Sequence, residues 1–261
     1  MSKRKAYIVV LMGVGRIYRI FPICYWNEII PYCYDCWPST WPAWQSFFIK
    51  NKVKAAFFTS KQAALHFSSI NSQMYCKWLP EATYSDDYLP QKKLKHRNID
   101  ILELGRRYSL YHKSIVNYCS QYGYKHLYEE KASEILFPTT QQLIEGFADS
   151  KICLCFPAAL THPEKAQGVE TVTHRYFESM ASKCLIVGKC PGELLEIFGY
   201  NPVIEVDMKN PFQQLLGILN TINSYQDLVN SNYERLLEIG TWEVRIQEMV
   251  DILTNELTYC L

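Results

Sequence analysis

The stretch of sequence that decides the fold is residues 151–200, KICLCFPAALTHPEKAQGVETVTHRYFESMASKCLIVGKCPGELLEIFGY. Two short apolar runs, 152–156 and 184–188, lie on either side of a segment that is predicted to be helical, 173–182. A second helix is predicted at 191–198. Strands that alternate with helices in this way are typical of βαβ units in a parallel sheet. We therefore predict an α/β fold built around a parallel, doubly wound sheet.

The predicted helix 173–182 has one apolar and one polar face, since residues three and four apart lie on the same side of a helix. The apolar face carries Tyr176, Phe177, Met180 and Ala181, and the polar face carries Arg175, Glu178, Ser179 and Ser182. Thr171 or Thr173 can cap the helix. Glu178 then lies about one turn into the helix, and Glu170 lies in the preceding loop.

The loop 157–173 follows a predicted strand, and ligands of open α/β sheets bind outside the carboxyl ends of the strands. Free backbone N–H groups and a helix start favour an anion at such a place. The candidate ligand-binding residues of this loop and helix start, called the donor-binding residues below, are Gly168, Val169, Thr171, His174 and Arg175.

The order Glu170, seven residues, Glu178, Ser-Met-Ala-Ser and a buried strand resembles the donor-sugar signature of retaining glycosyltransferases of the B-type fold, which has two Rossmann-like domains. The form Arg175-Tyr176-Phe177-Glu178 is most similar to the spore-maturation (CgeB-type) glycosyltransferase-like proteins. The resemblance implies that Glu170, the catalytic candidate, reaches the hydroxyls of the donor sugar and that Glu178 holds the ribose, because a carboxylate can accept hydrogen bonds from a diol. A solvated salt bridge between Glu178 and Arg175 is the alternative interpretation.

A second candidate region follows the predicted strand 99–104. Gly105 allows close approach of the backbone to a phosphate, and Arg106, Arg107 and Lys113 are candidates to neutralise a diphosphate leaving group. Which of the three does so stays open, and arginines that face solvent are the alternative.

The domain prediction places a reduced Rossmann-like, acceptor-side domain at 1–90 and a solvated basic linker at 91–97. A nucleotide-sugar-binding Rossmann-like domain follows at 98–261. The resemblance implies that its terminal helix crosses back onto the first domain.

Composition excludes several classes of function. The net charge of +1 gives no reason to expect that the protein binds nucleic acid. The sequence has no run of 18 apolar residues, so no membrane span is expected. The ten cysteines lie mostly in apolar runs, which favours buried thiols in a reducing cytoplasm over disulfides. The basic start, residues 3–5, resembles a signal peptide but is interpreted as leading into a first strand.

Metal sites are not expected. Cys33 and Cys36 form a single C-x-x-C pair, so a zinc or redox protein is a third and weaker class. His162, Glu164 and His174 lack ligand spacing. The resemblance implies a metal-independent enzyme without a cofactor, in which basic residues and helix dipoles balance the diphosphate.

The predicted activity is transfer of a hexosyl or related sugar from a nucleotide-diphosphate donor to an unknown hydroxyl of a glycan, lipid or protein, with retention. The alternative is a catalytically inactive relative that serves as a binding or partner subunit.

Overall fold

The computed structural model describes residues 7–13, 26–88, 92–130 and 135–257. The basic residues 3–5, on which the signal-peptide interpretation rests, lie outside this part of the chain. The strands are β1 Tyr7–Met12, β2 Glu28–Cys33, β3 Ala55–Phe58, β4 Tyr75–Trp78, β5 Ile99–Glu103, β6 His126–Tyr128, β7 Ser150–Cys155, β8 Leu185–Gly188 and β9 Ile204–Glu205.

The helices alternate with these strands. They are α1 Trp41–Lys50, α2 Lys61–Ile70, α3 Ser109–Gln121, α4 Thr140–Ala148, α5 Ala158–Thr161, α6 Pro163–Ala166, α7 His174–Ala181, α8 Gly192–Phe198, α9 Pro211–Asn220, α10 Gln226–Ile239 and α11 Trp242–Asp251. None of the helices in the described ranges combines the length and apolar character that crossing a bilayer requires.

The chain divides into two compact units. Unit 1 comprises residues 1–80 and 162–172, and unit 2 comprises residues 81–161 and 173–261. The sequence analysis predicts a linker at 91–97 and includes residues 162–172 in the second domain. The structure instead begins unit 2 at residue 81 and assigns 162–172 to unit 1. Each unit has its own sheet.

The sheet of unit 1 has the order β1-β2-β3-β4, and all its pairs are parallel. Aromatic side chains form much of its core, among them the fully buried Trp44 and Phe67. Helix α1 begins at Trp41, and Pro42 fits its first turn, where the missing N–H of proline is not needed.

The sheet of unit 2 has the order β6-β5-β7-β8-β9 and is also entirely parallel, as predicted. Counted from β5, this is the doubly wound order 2-1-3-4-5. The chain therefore changes direction across the sheet between β5 and β7. Such a switch point opens a crevice at the carboxyl ends of the two strands.

In the basic run 92–97, which was predicted to be a solvated linker, four residues are exposed but two are buried. Leu94 is fully buried and Arg97 is 3% exposed. The Arg97 guanidinium donates hydrogen bonds of 2.8 Å to the carbonyl oxygens of Ser150 and Ser182, which begin β7 and follow α7. The prediction was wrong here because charge alone does not show that an arginine has carbonyl acceptors to bind.

Helices α10 and α11 are separated by a break at Gly240. Helix α10 ends there, and the Thr241 side chain accepts a hydrogen bond from the Val244 N–H to cap α11. Thr83 pairs with Thr241 as an isolated parallel bridge, so residues near the start of unit 2 hold the break in place.

Gly188 ends β8 where that strand lies against β7. A Cβ atom at this position would overlap the carbonyl oxygen of Cys155. We expect Gly188→Ala to lower the free energy of unfolding by about 2 kcal/mol, because the close-packed strands must move apart to admit the methyl group. Urea denaturation measures the change.

The matched control is Gly217→Ala, since Gly217 lies within α9, and a Cβ there meets no atom within 4 Å. This variant should gain about 0.5–1 kcal/mol, the difference in helix propensity. Equal stability of Gly188→Ala and wild type would contradict the close approach of β7 and β8.

Candidate functional site

The crevice at the switch point of unit 2 is bordered by the ends of β5 and β7, at Glu103 and Cys155. Gly105 follows β5 with a left-handed φ of 71°, a conformation that glycine adopts without a steric penalty. The predicted turn after this strand is therefore present. Its position is that at which doubly wound sheets bind ligands.

Two of the predicted donor-binding residues come together at this turn. Nη2 of Arg175, in the first turn of α7, lies 3.9 Å from the point where a Cβ of residue 105 would stand. The guanidinium carbon is 5.3 Å from the centre of the Phe147 ring, which supports it from α4. A cation is thus held next to a glycine turn, which suits a phosphate group.

Glu178 lies in the fifth position of α7, and its side chain is 8% exposed. Nη1 of Arg175 is 2.9 Å from Oε2, and the Tyr88 hydroxyl donates a 2.9 Å hydrogen bond to Oε1. Nε2 of His174 is 3.6 Å from Oε1. The solvated salt bridge, which was the alternative interpretation, does not describe this buried carboxylate.

The hydrogen-bonding capacity of this group is not used up. A carboxylate offers about four acceptor positions, and Tyr88 occupies one of them. Nη1 of Arg175 is at ion-pair distance, yet it is buried without a well-aligned hydrogen bond. Burial, and next the Glu178 charge, raise the pKa of the Tyr88 hydroxyl, so Tyr88 stays a donor over the physiological range.

The polar face predicted for α7 is buried along with the apolar one. Ser179 is fully buried, its hydroxyl donates to the Arg175 carbonyl at 2.8 Å, and Ser182 is 1% exposed. The sequence predicted the polar face but not the burial of its serines, which Ser179 tolerates because its hydroxyl satisfies a carbonyl of its own helix.

The three candidates for the diphosphate differ in exposure. Arg106 and Lys113 are exposed, while Arg107 is half-buried with its guanidinium carbon 5.6 Å from the centre of the Tyr128 ring. Lys113 lies on the side of α3 away from the buried Tyr111 and Ile115. None of the three forms an ion pair with a described residue, so the structure leaves the choice among them open.

The remaining site candidates lie in unit 1. Gln167 and Gly168 both have left-handed φ values, of 45° and 85°, and turn the chain after α6. The N–H of Val169 donates to the Ala166 carbonyl at 2.9 Å, and the N–H of Glu170 donates to Oε1 of Gln62 at 2.7 Å. Two of the backbone donors that were expected to be free for an anion are therefore occupied.

Glu170 and Thr171 are attached to the carboxyl end of β3. Thr171 is 7% exposed, and its hydroxyl donates a hydrogen bond of 3.4 Å to the Thr59 carbonyl. No ion pair or side-chain hydrogen bond from a described residue occupies the Glu170 carboxylate, in contrast to that of Glu178.

The cysteines that the structure describes are free thiols, and most are buried. Burial raises the pKa of Cys36 and that of Cys33, so both are poor nucleophiles at neutral pH. Among the described residues, metal-ligating side chains come together in one group, Glu103, His112 and His126, which the sequence analysis missed.

Solved structures share the architecture of this chain, whereas comparisons of the sequence find no relative. No protein-family model matches the sequence, and no curated protein does. Among solved structures, the sucrose-phosphate synthase of Thermosynechococcus elongatus matches with a TM-score of 0.62 at 10% identity, over 96% of this chain and 74% of that one. The fold is that of B-type glycosyltransferases.

Two further structures agree. The UDP-forming α,α-trehalose-phosphate synthase of Burkholderia vietnamiensis has a TM-score of 0.59 at 10% identity, over 94% of this chain and 71% of that one. An α-glucosyltransferase in complex with UDP and a 13-mer DNA has a TM-score of 0.57 at 11% identity, over 95% and 80%. At such identities the likeness establishes the fold alone.

Tyr88 has no counterpart in the sequence prediction, and its link to Glu178 can be tested. We expect Tyr88→Phe to lower the free energy of unfolding by about 1 kcal/mol, because a buried carboxylate oxygen loses a hydrogen bond. A double-mutant cycle with Glu178→Gln, followed by urea denaturation, should give a coupling energy of at least about 0.5 kcal/mol.

Tyr84→Phe is the control for that cycle, since Tyr84 is 54% exposed. It should change stability little and should not couple to Glu178→Gln. Additive effects of the Tyr88 and Glu178 variants would show that the two groups do not interact.

Proposed function

We propose that this protein is a glycosyltransferase that takes a sugar from a nucleotide-diphosphate donor and transfers it to a hydroxyl acceptor. One observation carries the proposal. A buried carboxylate and an arginine lie one helical turn apart on α7, and the arginine adjoins the glycine turn that ends β5 at the switch point. A fold that solved glycosyltransferases also have supports it.

In this proposal Glu178 accepts hydrogen bonds from the ribose hydroxyls. The hydrogen bond from Tyr88 and the charge of Arg175 fix the carboxylate before the nucleotide arrives, so little order is lost when it binds. The remaining acceptor positions of the carboxylate match a diol, which presents two donors side by side.

The diphosphate lies against Gly105, and positive charge from Arg175 and from Arg106, Arg107 or Lys113 balances it. These groups stabilise the departing nucleotide most strongly when its charge develops, which is where electrostatic catalysis acts. The reaction then needs no metal ion at the diphosphate. Glu170 is proposed, from the sequence signature, to contact the hydroxyls of the donor sugar, and transfer proceeds with retention.

A second candidate is a partner subunit that binds nucleotide without turnover. The observation in its favour is the Tyr88 hydroxyl, which already occupies one oxygen of Glu178. In that case the carboxylate serves the stability of unit 2 and not a substrate. Binding and turnover must therefore be measured separately.

We expect a nucleoside diphosphate to bind the full chain and raise its melting temperature, because a ligand that binds only the native state stabilises it by mass action. UDP is tested first, since one of the similar structures is a UDP-forming synthase and another is a complex with UDP. Calorimetric titration should show that Glu178→Gln lowers the affinity for UDP by about tenfold or more, which corresponds to the loss of one charged hydrogen bond.

Two matched variants sharpen this test. Glu238→Gln neutralises an exposed carboxylate that pairs with Arg235 on α10, and it should bind UDP as wild type does. Glu170→Gln should also keep its UDP affinity, because UDP lacks the donor sugar that Glu170 is proposed to contact, while the rate at which UDP is released from UDP-sugars falls. If no nucleoside diphosphate binds, both candidates fail; if one binds and no UDP-sugar is hydrolysed or transferred, the partner-subunit candidate is favoured.

A further inference from the structure

Unit 2 contains a cluster of two histidines and a glutamate that the proposed function does not use. Glu103 ends β5, His126 begins β6, and His112 lies in the first turns of α3. Their side chains are 1%, 4% and 14% exposed. One oxygen or nitrogen atom from each lies within 4.8 Å of the others.

The cluster leaves polar atoms without partners. Nδ1 of His112 lies 2.6 Å from Oε2 of Glu103, the one good hydrogen bond of the group. Nε2 of His126 is 3.4 Å from the same oxygen, but neither ring nitrogen of His126 makes a hydrogen bond, and Oε1 of Glu103 makes none. Leaving such atoms buried and unpaired is costly, so each calls for a partner.

The neighbouring side chains hold the rings in place. The Tyr128 ring, at the end of β6, lies 4.8 Å from both the His112 and the His126 rings, and each contact is tilted or edge-on. The hydroxyl of Tyr111, the residue before His112, is also buried without a hydrogen-bond partner. The cluster thus brings buried oxygen and nitrogen atoms together with too few hydrogen-bond partners for them.

We propose that Glu103, His112 and His126 bind one divalent transition-metal ion. Two imidazoles and one carboxylate are a donor set that Zn²⁺ takes up through three protein ligands, with a fourth position left to water. Nδ1 of His112, Nε2 of His126 and a Glu103 oxygen are the ligand atoms. The ion links helix α3 to β5 and β6, which are already neighbouring strands of the parallel sheet.

The geometry needs only a small adjustment to accept the ion. Ligand atoms about 2.0–2.2 Å from zinc stand roughly 3.3 Å apart in a tetrahedron. The spacing of 3.4 Å between Nε2 of His126 and Oε2 of Glu103 already agrees with this. The His112 contact of 2.6 Å must open, which a change of side-chain torsion achieves, and His112 is the more exposed histidine through which the ion enters.

A hydrogen-bonded triad without an ion is the competing explanation. It accounts for the contact between His112 and Glu103. It leaves both ring nitrogens of His126 without a hydrogen bond, although the side chain is only 4% exposed. Metal binding supplies a partner to the nitrogen that faces the carboxylate, and therefore explains more of the cluster.

The test measures metal binding and not activity, so its result is separate from that of the nucleotide experiments. The full chain is freed of metal with a chelator, re-equilibrated with Zn²⁺ and passed through a desalting column, and bound zinc is counted by mass spectrometry. We expect one equivalent. Glu103→Gln and His126→Gln should each lower the affinity for zinc by at least about 100-fold. Loss of a residue that only supports a ligand lowers the affinity by about 10–100-fold.

His96→Gln is the matched control, since His96 is exposed on the surface of unit 2 and should leave zinc binding unchanged. Titration with Co²⁺ needs no variant and guards against variants that fail to fold. Visible d–d bands without a thiolate-to-cobalt band support nitrogen and oxygen ligands. A thiolate band, zinc retained by a folded His126→Gln chain, or no zinc bound by wild type at micromolar concentration overturns the proposal.

Discussion

The interaction on which the candidate site depends is the pairing of a buried carboxylate with an arginine and a tyrosine hydroxyl. An unpaired carboxylate in a protein interior is strongly destabilising. Glu178 avoids this because Arg175 precedes it by one turn of the same helix and Tyr88 donates from a distant segment. Helix α7 can therefore place a negative charge at the carboxyl edge of the sheet and still pack all of its middle residues.

The order of the strands gives this pair its significance. A parallel sheet directs the carboxyl ends of its strands to one edge, and the change of direction between β5 and β7 separates the loops there. Gly105 and Arg175 meet beside that gap. A cation, a glycine turn and a compensated carboxylate in one crevice are complementary to a nucleoside diphosphate, which is negative at the phosphates and presents hydrogen-bond donors at the ribose.

The same unit holds a second buried glutamate in a different electrostatic condition. Glu178 has an arginine and a tyrosine, whereas Glu103 has two histidines, one of which makes no hydrogen bond. Both oxygens of Glu178 thus face a donor or a cation of the protein, whereas Oε1 of Glu103 has no hydrogen-bond partner. For this reason we assign the two to different roles, although both belong to elements around β5 and β7.

The sequence by itself determined the α/β class, the parallel sheets and nearly every element, since runs such as ICLCF and the 3.6-residue spacing of α7 are local signals. It also located Gly105 after a strand and Glu178 on a helix. Only the tertiary structure decided that Tyr88 bonds Glu178 across ninety residues, that Arg97 is buried, and that Glu103, His112 and His126 form one cluster. The physical reason is that periodicity reports which face of an element is buried, whereas the partners of a buried polar atom are set by the packing of segments far apart in the chain.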